Sequence, residues 1–225
     1  MEDNEQKPSL AKRPWPTKDA MIQVYQKHLW GGEKIDFYSG VGSHHPEIIG
    51  PYLEALILFL SAFDHPLVIC DLGCGDFNIG KDLVKFSKHY IGVDIVPELI
   101  ARNKKIFTQE NLEFYCLDIA KDHLPLGDCA IIRQVLQHLS NDEVMKILHK
   151  LIAFTYVVVT EHVPVGNFVP NKDIISGQGI RLKKQSGVNV LAAPFNLKIK
   201  AEKLLTATYL GEGKGVIETT LYQLK

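Results

Sequence analysis

The sequence predicts an α/β protein: a sandwich of helices around a seven-stranded, mostly parallel sheet that ends in an antiparallel hairpin. Three observations carry that expectation. Short apolar runs alternate with helical segments from about residue 67 to 161, the mark of βαβ crossovers and a parallel sheet buried on both faces. Two β-rich runs close the chain, joined by "GEGKG", and read as a hairpin. A glycine-rich turn follows the first strand, as at a ligand-binding strand-to-helix junction.

The elements follow in order. Residues 1–16 read as a flexible leader ending in Pro14 and Pro16, after which Thr17 can cap a helix running to about Trp30. The connection "GGEKIDFYSGVGSHHP" leads to a second helix at about 47–63, and residues 17–63 form an N-terminal helical lid. The α/β core spans 64–225, within one domain over 1–225. "LVICDL" (67–72) is a strand, "IGKDLVKFSKH" a helix, "YIGVDI" (90–95) a strand, and a helix starts at Pro97, an acceptable first helical residue. "LEFYCLD" (112–118), "CAIIRQVL" (129–136) and "YVVVTE" (156–161) are strands, with an amphipathic helix over 142–154. "KLLTATYL" and "GVIETTLYQL" form the hairpin.

Composition narrows the function. With 25 Lys and Arg against 26 Asp and Glu, the net charge of −1 lacks the basic footprint of a DNA- or long-RNA-binding protein. The 4 cysteines show no C-x-x-C spacing, which argues against zinc and disulfides and for a reducing compartment. The N-terminus has no apolar signal region, and the most apolar helix carries Glu54 and is too short to span a bilayer. The expectation is a soluble, cytoplasmic protein without a membrane partner.

The stretch "CDLGCGDFNIGKD" (70–82) supports three nucleotide-type readings. Gly75–Lys81 spells G-x-x-x-x-G-K, but Asp82 stands where an NTPase needs Ser or Thr for magnesium. Gly73 and Gly75 begin a dinucleotide fingerprint, but its third glycine is replaced by Asn78. The third reading is a cofactor without phosphates. Asp71, Asp94 and Asp118 close three consecutive strands at their carboxyl ends and converge on one crevice, suiting a cationic ligand. Asp94 can accept both ribose hydroxyls, and Asp118 lies within reach of an adenine amino group.

In these motifs the chain resembles the class I S-adenosylmethionine-dependent methyltransferases. "VICDLGCGDFNIG" looks like their first motif, "YIGVDIVPELI" their ribose-binding strand, "FYCLDIAKDHLP" their adenine segment, and "CAIIRQVLQHLSNDEVMKIL" their fourth strand and next helix. The resemblance covers about residues 50–160. It implies a three-layer, Rossmann-like sandwich, S-adenosyl-L-methionine as cofactor and S-adenosyl-L-homocysteine as product. By the same resemblance Gly73 and Gly75 let the backbone approach the methionine part. Asp94 holds the ribose, and Asp118 and Ile119 meet the adenine. Ile95 and Gln134 complete the cofactor set, with Asp71 beside the glycine loop.

The acceptor is less legible. The D/N-P-P-Y/F run of amino-modifying DNA enzymes is absent after strand four, and no cysteine follows a proline. A small-molecule acceptor, methylated at oxygen or nitrogen, is the first expectation. The alternatives are a protein- or RNA-directed enzyme, or a silent cofactor-binding module acting through a partner. A hydroxyl acceptor needs a general base. His162 and Glu161, leaving strand five, are the first candidates, and His138 after strand four is another. Tyr38, His44, His45, Arg133, Arg181 and Lys172 are candidates to bind the acceptor. The irregular stretch 161–187 belongs to its pocket. No metal is expected, because His44 and His45 have no carboxylate at ligand spacing.

Overall fold

The computed structural model describes residues 14–225, so most of the expected leader lies outside the described residues. Helix α1 (Thr17–Gln26) and helix α2 (Pro46–Leu60) precede the sheet. Then come β1 (Val68–Leu72), α3 (Gly80–Leu83), β2 (His89–Asp94), α4 (Pro97–Ile106), β3 (Leu112–Cys116) and β4 (Cys129–Arg133). The chain continues with α5 (Asn141–Leu151), β5 (Tyr156–Val163), β6 (Ala201–Tyr209) and β7 (Val216–Gln223).

The strands form one seven-stranded sheet in the order β3-β2-β1-β4-β5-β7-β6. The first five run parallel, and β7 lies antiparallel to both β5 and β6. Strand residues alternate between two apolar layers, as a period of two dictates. Cys70, Leu72, Ile132, Val157 and Val159 pack against Val144, Ile147, Leu148 and Leu151 of α5. Their neighbours Ile69, Ile131 and Val158 pack on the opposite face with Tyr52, Leu56 and Leu60 of α2. Fully burying each such aliphatic side chain stabilises by about 1.5–3 kcal/mol. The sheet reverses its direction of growth at β1, between β2 and β4, so a crevice opens at the carboxyl ends there.

Several boundaries differ from the sequence reading. Helix α1 ends at Gln26 because His28 takes a left-handed backbone (φ 49°). Thr17 does not cap it; Pro16 occupies that position, and the Thr17 hydroxyl donates to Glu143. The helix expected after the glycine turn shrinks to the single turn of α3 and a 3-10 turn at Val84–Phe86. There the Ser87 hydroxyl takes the Val84 carbonyl at 2.7 Å, competing with helix continuation. Strand β4 stops at Arg133, since Gln134 has φ 55°. Strand β5 runs on to Val163 because β7 pairs with it along its whole length, from Tyr156↔Gln223 to Val163↔Val216.

Candidate active site

The glycine turn after β1 makes the floor of the crevice. Gly73 (φ 91°) and Gly75 (φ 56°) occupy backbone conformations that L side chains rarely adopt. Both also make room for protein rather than open space. A Cβ on Gly73 would come within 2.3 Å of Val135, and one on Gly75 within 2.5 Å of the Ser39 hydroxyl.

Every main-chain N–H from Gly73 to Asn78 already has an internal acceptor. Gly73 and Cys74 donate to the Val93 carbonyl at 2.8 and 2.9 Å. Gly75 donates to Asp94 at 3.1 Å, Asp76 to the Ser39 hydroxyl at 2.9 Å, Phe77 to Cys74 at 3.2 Å and Asn78 to Asp76 at 3.1 Å. A pyrophosphate needs such N–H groups free and a helix dipole behind them. The helix here has one turn, Gly80–Leu83, and Lys81 donates to Asn78 at 2.8 Å. The turn fits a ligand without phosphates.

The three carboxylates expected at the strand ends do meet on one cavity of about 540 Å3, lined by Asp71, Asp94 and Asp118 together with Gly73, Gly75, Ile95, Ile119 and Gln134. Asp94 is buried and accepts from Gly75 and from Val96 at 3.0 Å. Burial lifts its carboxyl to about 6 despite those donors. Asp71 accepts from the Tyr90 hydroxyl at 2.9 Å, and burial lifts it to about 7. Asp118 accepts from Ala120 at 3.0 Å and pairs with Lys121 at 2.8 Å. Two polar atoms near Asp71, the Tyr52 hydroxyl and Arg133 Nε, are buried without a partner among the described residues. Both side chains line the cavity.

The N-terminal segment covers the crevice and is tied to the glycine turn. Asp76 accepts from the Ser39 N–H at 2.9 Å and contacts His44 Nε2 at 2.6 Å. The Tyr25 and Ser39 hydroxyls meet at 3.1 Å, and Asn78 donates to the Ser43 carbonyl at 2.8 Å. Arg133 donates to the Gly42 carbonyl at 2.5 Å and the Ser43 hydroxyl at 3.1 Å, with its guanidinium 4.7 Å from the Tyr52 ring centre. From below, Asn103 of α4, fully buried, holds the Gly75 carbonyl at 2.8 Å, and Arg102 holds that of Asp76 at 3.0 Å.

Beyond the glycine turn the cavity continues between Trp30, Gln137, His138, His162 and the main chain around Gly179. His138 lies 5.0 Å from the Trp30 ring, and burial pushes its imidazole down to about 4, so it is neutral at physiological pH. His162 sits within β5, opposite Ile217, rather than beyond the strand end. Its Nε2 lies 2.6 Å from the Lys214 carbonyl.

Several expected site residues sit elsewhere. Glu161 projects to the other side of β5 from His162, as strand alternation requires. It is buried there, and accepts from the Leu136 N–H at 3.1 Å. Burial lifts it to about 8. Arg181, 1% exposed, donates to the carbonyls of Leu136 at 3.0 Å and Leu139 at 2.7 Å, and to Asn141 at 2.7 Å. It braces the turn after β4 and does not line the cavity. Tyr38 stacks on His44 at 4.3 Å, outside the cavity, and His45 is exposed just before α2. Lys172 is exposed and donates to the Lys184 carbonyl at 2.9 Å.

Sequence reasoning missed Asp76, Asn103, Trp30 and Gln137. Asp76 and Asn103 carried a signal, since each is polar and sits among residues that pattern as buried. Trp30 and Gln137 carried none that one chain reveals.

Comparison with known proteins agrees with this fold. A family model described as "Methyltransferase domain" matches residues 69–155. The 23S rRNA (uracil(1939)-C(5))-methyltransferase RlmD of Shewanella amazonensis is 39% identical over 57 residues, which is 24% of this chain and 13% of that enzyme. The chain thus matches only a small part of that relative's length. The N-methyltransferase NodS of Bradyrhizobium japonicum WM9, solved with S-adenosyl-L-homocysteine, superposes with a TM-score of 0.68 at 12% identity, over 91% of this chain and 98% of that one. The 1,6-didemethyltoxoflavin-N1-methyltransferase of Burkholderia thailandensis, with bound 1,6-didemethyltoxoflavin and S-adenosylhomocysteine, gives a TM-score of 0.61 at 14% identity, over 99% of this chain and 97% of that one. The fold and the matched domain bear out the resemblance read from the motifs. The chain has the class I, Rossmann-like fold of the S-adenosylmethionine-dependent methyltransferases, and its residues 69–155 match the methyltransferase-domain model.

Proposed function

We propose that this protein transfers a methyl group from S-adenosyl-L-methionine to an oxygen or nitrogen of a small-molecule acceptor. The observation that carries the donor half is the glycine turn, whose N–H groups are internally engaged while carboxylates face the cavity. Such a wall suits a cationic, phosphate-free ligand. Asp94 is assigned to the ribose hydroxyls, Asp118 with Ile119 to the adenine, and Asp71 to the ammonium end. The bound cofactor supplies an electrophilic methyl group whose departure leaves a neutral thioether. The protein's part is positioning and exclusion of water.

The acceptor half rests on the roof. The N-terminal segment covers the cavity, and Gln178 Nε2 donates to the Leu29 carbonyl at 2.8 Å, joining the two sides above His138. A covered space of this kind favours a small acceptor over a polymer. The RlmD match favours a second reading, an RNA acceptor.

Calorimetry with S-adenosylhomocysteine tests the donor, with NADH and ATP as controls expected to give no heat. Labelled cofactor incubated with a small-metabolite extract and, separately, with total RNA tests the acceptor. Label appearing only in RNA overturns the small-molecule reading.

A further inference from the structure

Gln137 is buried on the cavity wall between two histidines. Its Oε1 accepts the main-chain N–H of His162 at 3.0 Å. A main-chain N–H can only donate, so this bond fixes which end of the amide points where. The amide Nε2 is therefore the end that meets His138 Nε2, at 3.3 Å. An amide NH2 also only donates, so that ring nitrogen must present a lone pair. The other ring nitrogen, Nδ1, faces the Gly179 carbonyl at 3.2 Å and must carry the proton. The chain of donors and acceptors is closed at both ends by main-chain groups. It admits one state of His138: neutral, protonated at Nδ1.

The surroundings agree with that state. Trp30 and the main chain of Gly177–Gly179 pack on the ring, and the charged group acting on it is the Arg181 guanidinium, which disfavours imidazolium. The Gln137 contact at 3.3 Å is long for a hydrogen bond, which leaves the Nε2 lone pair open to a better donor.

We propose that Gln137 is a positioning residue that locks His138 in its Nδ1–H tautomer, so that Nε2 receives an O–H or N–H of the methyl acceptor. The proposal rests on the methyltransferase reading and narrows its acceptor. The nucleophilic atom must bear a hydrogen, as in an alcohol, phenol or primary or secondary amine, and the bond to Nε2 turns that atom's lone pair in a fixed direction. Tertiary amines and thioethers make no such bond.

The tautomer is read directly by long-range 1H–15N correlation spectra of the 15N-labelled protein, without cofactor, with His138 assigned by its loss in His138→Gln. The expected pattern at pH 7 is neutral Nδ1–H; an Nε2–H or imidazolium pattern overturns the proposal. In Gln137→Glu, a carboxylate that only accepts faces Nε2, while Nδ1–H still faces Gly179. His138 should become imidazolium at pH 7, its titration midpoint displaced above the ordinary imidazole value of 6.5; loss of packing alone relieves burial and returns the midpoint only to that value. An unmoved midpoint in the folded variant removes Gln137 from the role. Should that variant not fold, Gln137→Met removes the donor to Nε2 while Gly179 still faces Nδ1, so the titration midpoint should rise with the neutral tautomer unchanged; an unmoved midpoint there counts against the lock. Failure of the methyltransferase reading shows separately, as absence of S-adenosylhomocysteine binding by a protein whose tautomer is intact.

Discussion

Ser39 and Asp76, 37 residues apart, exchange hydrogen bonds: the Ser39 N–H donates to the Asp76 carboxylate and the Asp76 N–H to the Ser39 hydroxyl, each at 2.9 Å. The pair joins the N-terminal segment to the glycine turn. Asp76→Ala removes the carboxylate that also serves Asn78 and His44. Hydrogen bonds to a charged group contribute about 1.5–3 kcal/mol each, with only part recovered by water. The expected loss is about 2–4 kcal/mol of stability. Amide exchange should rise first in residues 17–45; uniform change across the sheet would argue against a local clamp.

Asn103 stands under the same turn. Asn103→Leu deletes the donor to the Gly75 carbonyl and leaves that carbonyl buried and unpaired. A cost of about 1–3 kcal/mol is expected. Thermal melts should show it, and cofactor-product affinity should fall with it, because Gly75 is the residue whose N–H orients Asp94.

Asp94→Ala should weaken S-adenosylhomocysteine binding at least tenfold, about 1.4 kcal/mol. Calorimetry on a variant whose circular dichroism matches the parent is the measurement. Unchanged affinity would remove the ribose assignment.

Binding should also depend on pH in a definite direction. Asp71 and Asp94 are raised to about 7 and about 6 by burial. A ligand bearing an ammonium group favours the ionised carboxylates, so protons compete with it. Affinity for S-adenosylhomocysteine should therefore climb from pH 5.5 to 8. Asp71→Asn should flatten the part of that rise near pH 7; a profile identical to the parent's would separate Asp71 from the ligand.

Glu161 gives the opposite kind of test, on stability. Its folded value of about 8 lies above the ordinary 4.5, so the protonated form is the one that folding favours. That contribution is complete below pH 4.5 and is lost as pH rises through 8. Glu161→Gln should thus be near neutral at pH 5 and stabilising by on the order of 2 kcal/mol at pH 9. Arg181→Met, by contrast, strands the carbonyls of Leu136 and Leu139 and should cost about 3 kcal/mol or more. Denaturant melts at the two pH values separate these outcomes.

The legibility of the molecule followed its physics. Strands β1, β2, β4 and β5 were readable because burial on both faces makes them continuous apolar runs. Asp71 and Asp94 were readable because a carboxylate in or at the end of such a run has few other reasons to be there, whereas Asp118 lies two residues beyond β3, a mostly exposed strand. Arg181 was misjudged as a ligand for the acceptor, since its partners are main-chain carbonyls that no side-chain pattern announces. Glu161 and His162 were taken as one pair, but consecutive strand residues face opposite ways, and the strand ran two residues longer than its apolar core. Gln137 was invisible because its role depends on a main-chain N–H from β5, 25 residues away.

The engaged turn between Gly73 and Asn78 has a consequence for what the protein ignores. A nucleotide phosphate entering there would have to displace a native acceptor for each hydrogen bond it formed, so the exchange yields little net free energy. Facing carboxylates would add repulsion. The turn therefore offers an anionic cofactor no free main-chain donor, and that discrimination lasts as long as the turn keeps its internal hydrogen bonds. Half of this selectivity resides in main-chain carbonyls that no substitution removes, and half in the side chains of Asp94, Ser39 and Asp76, where a single substitution would free an N–H.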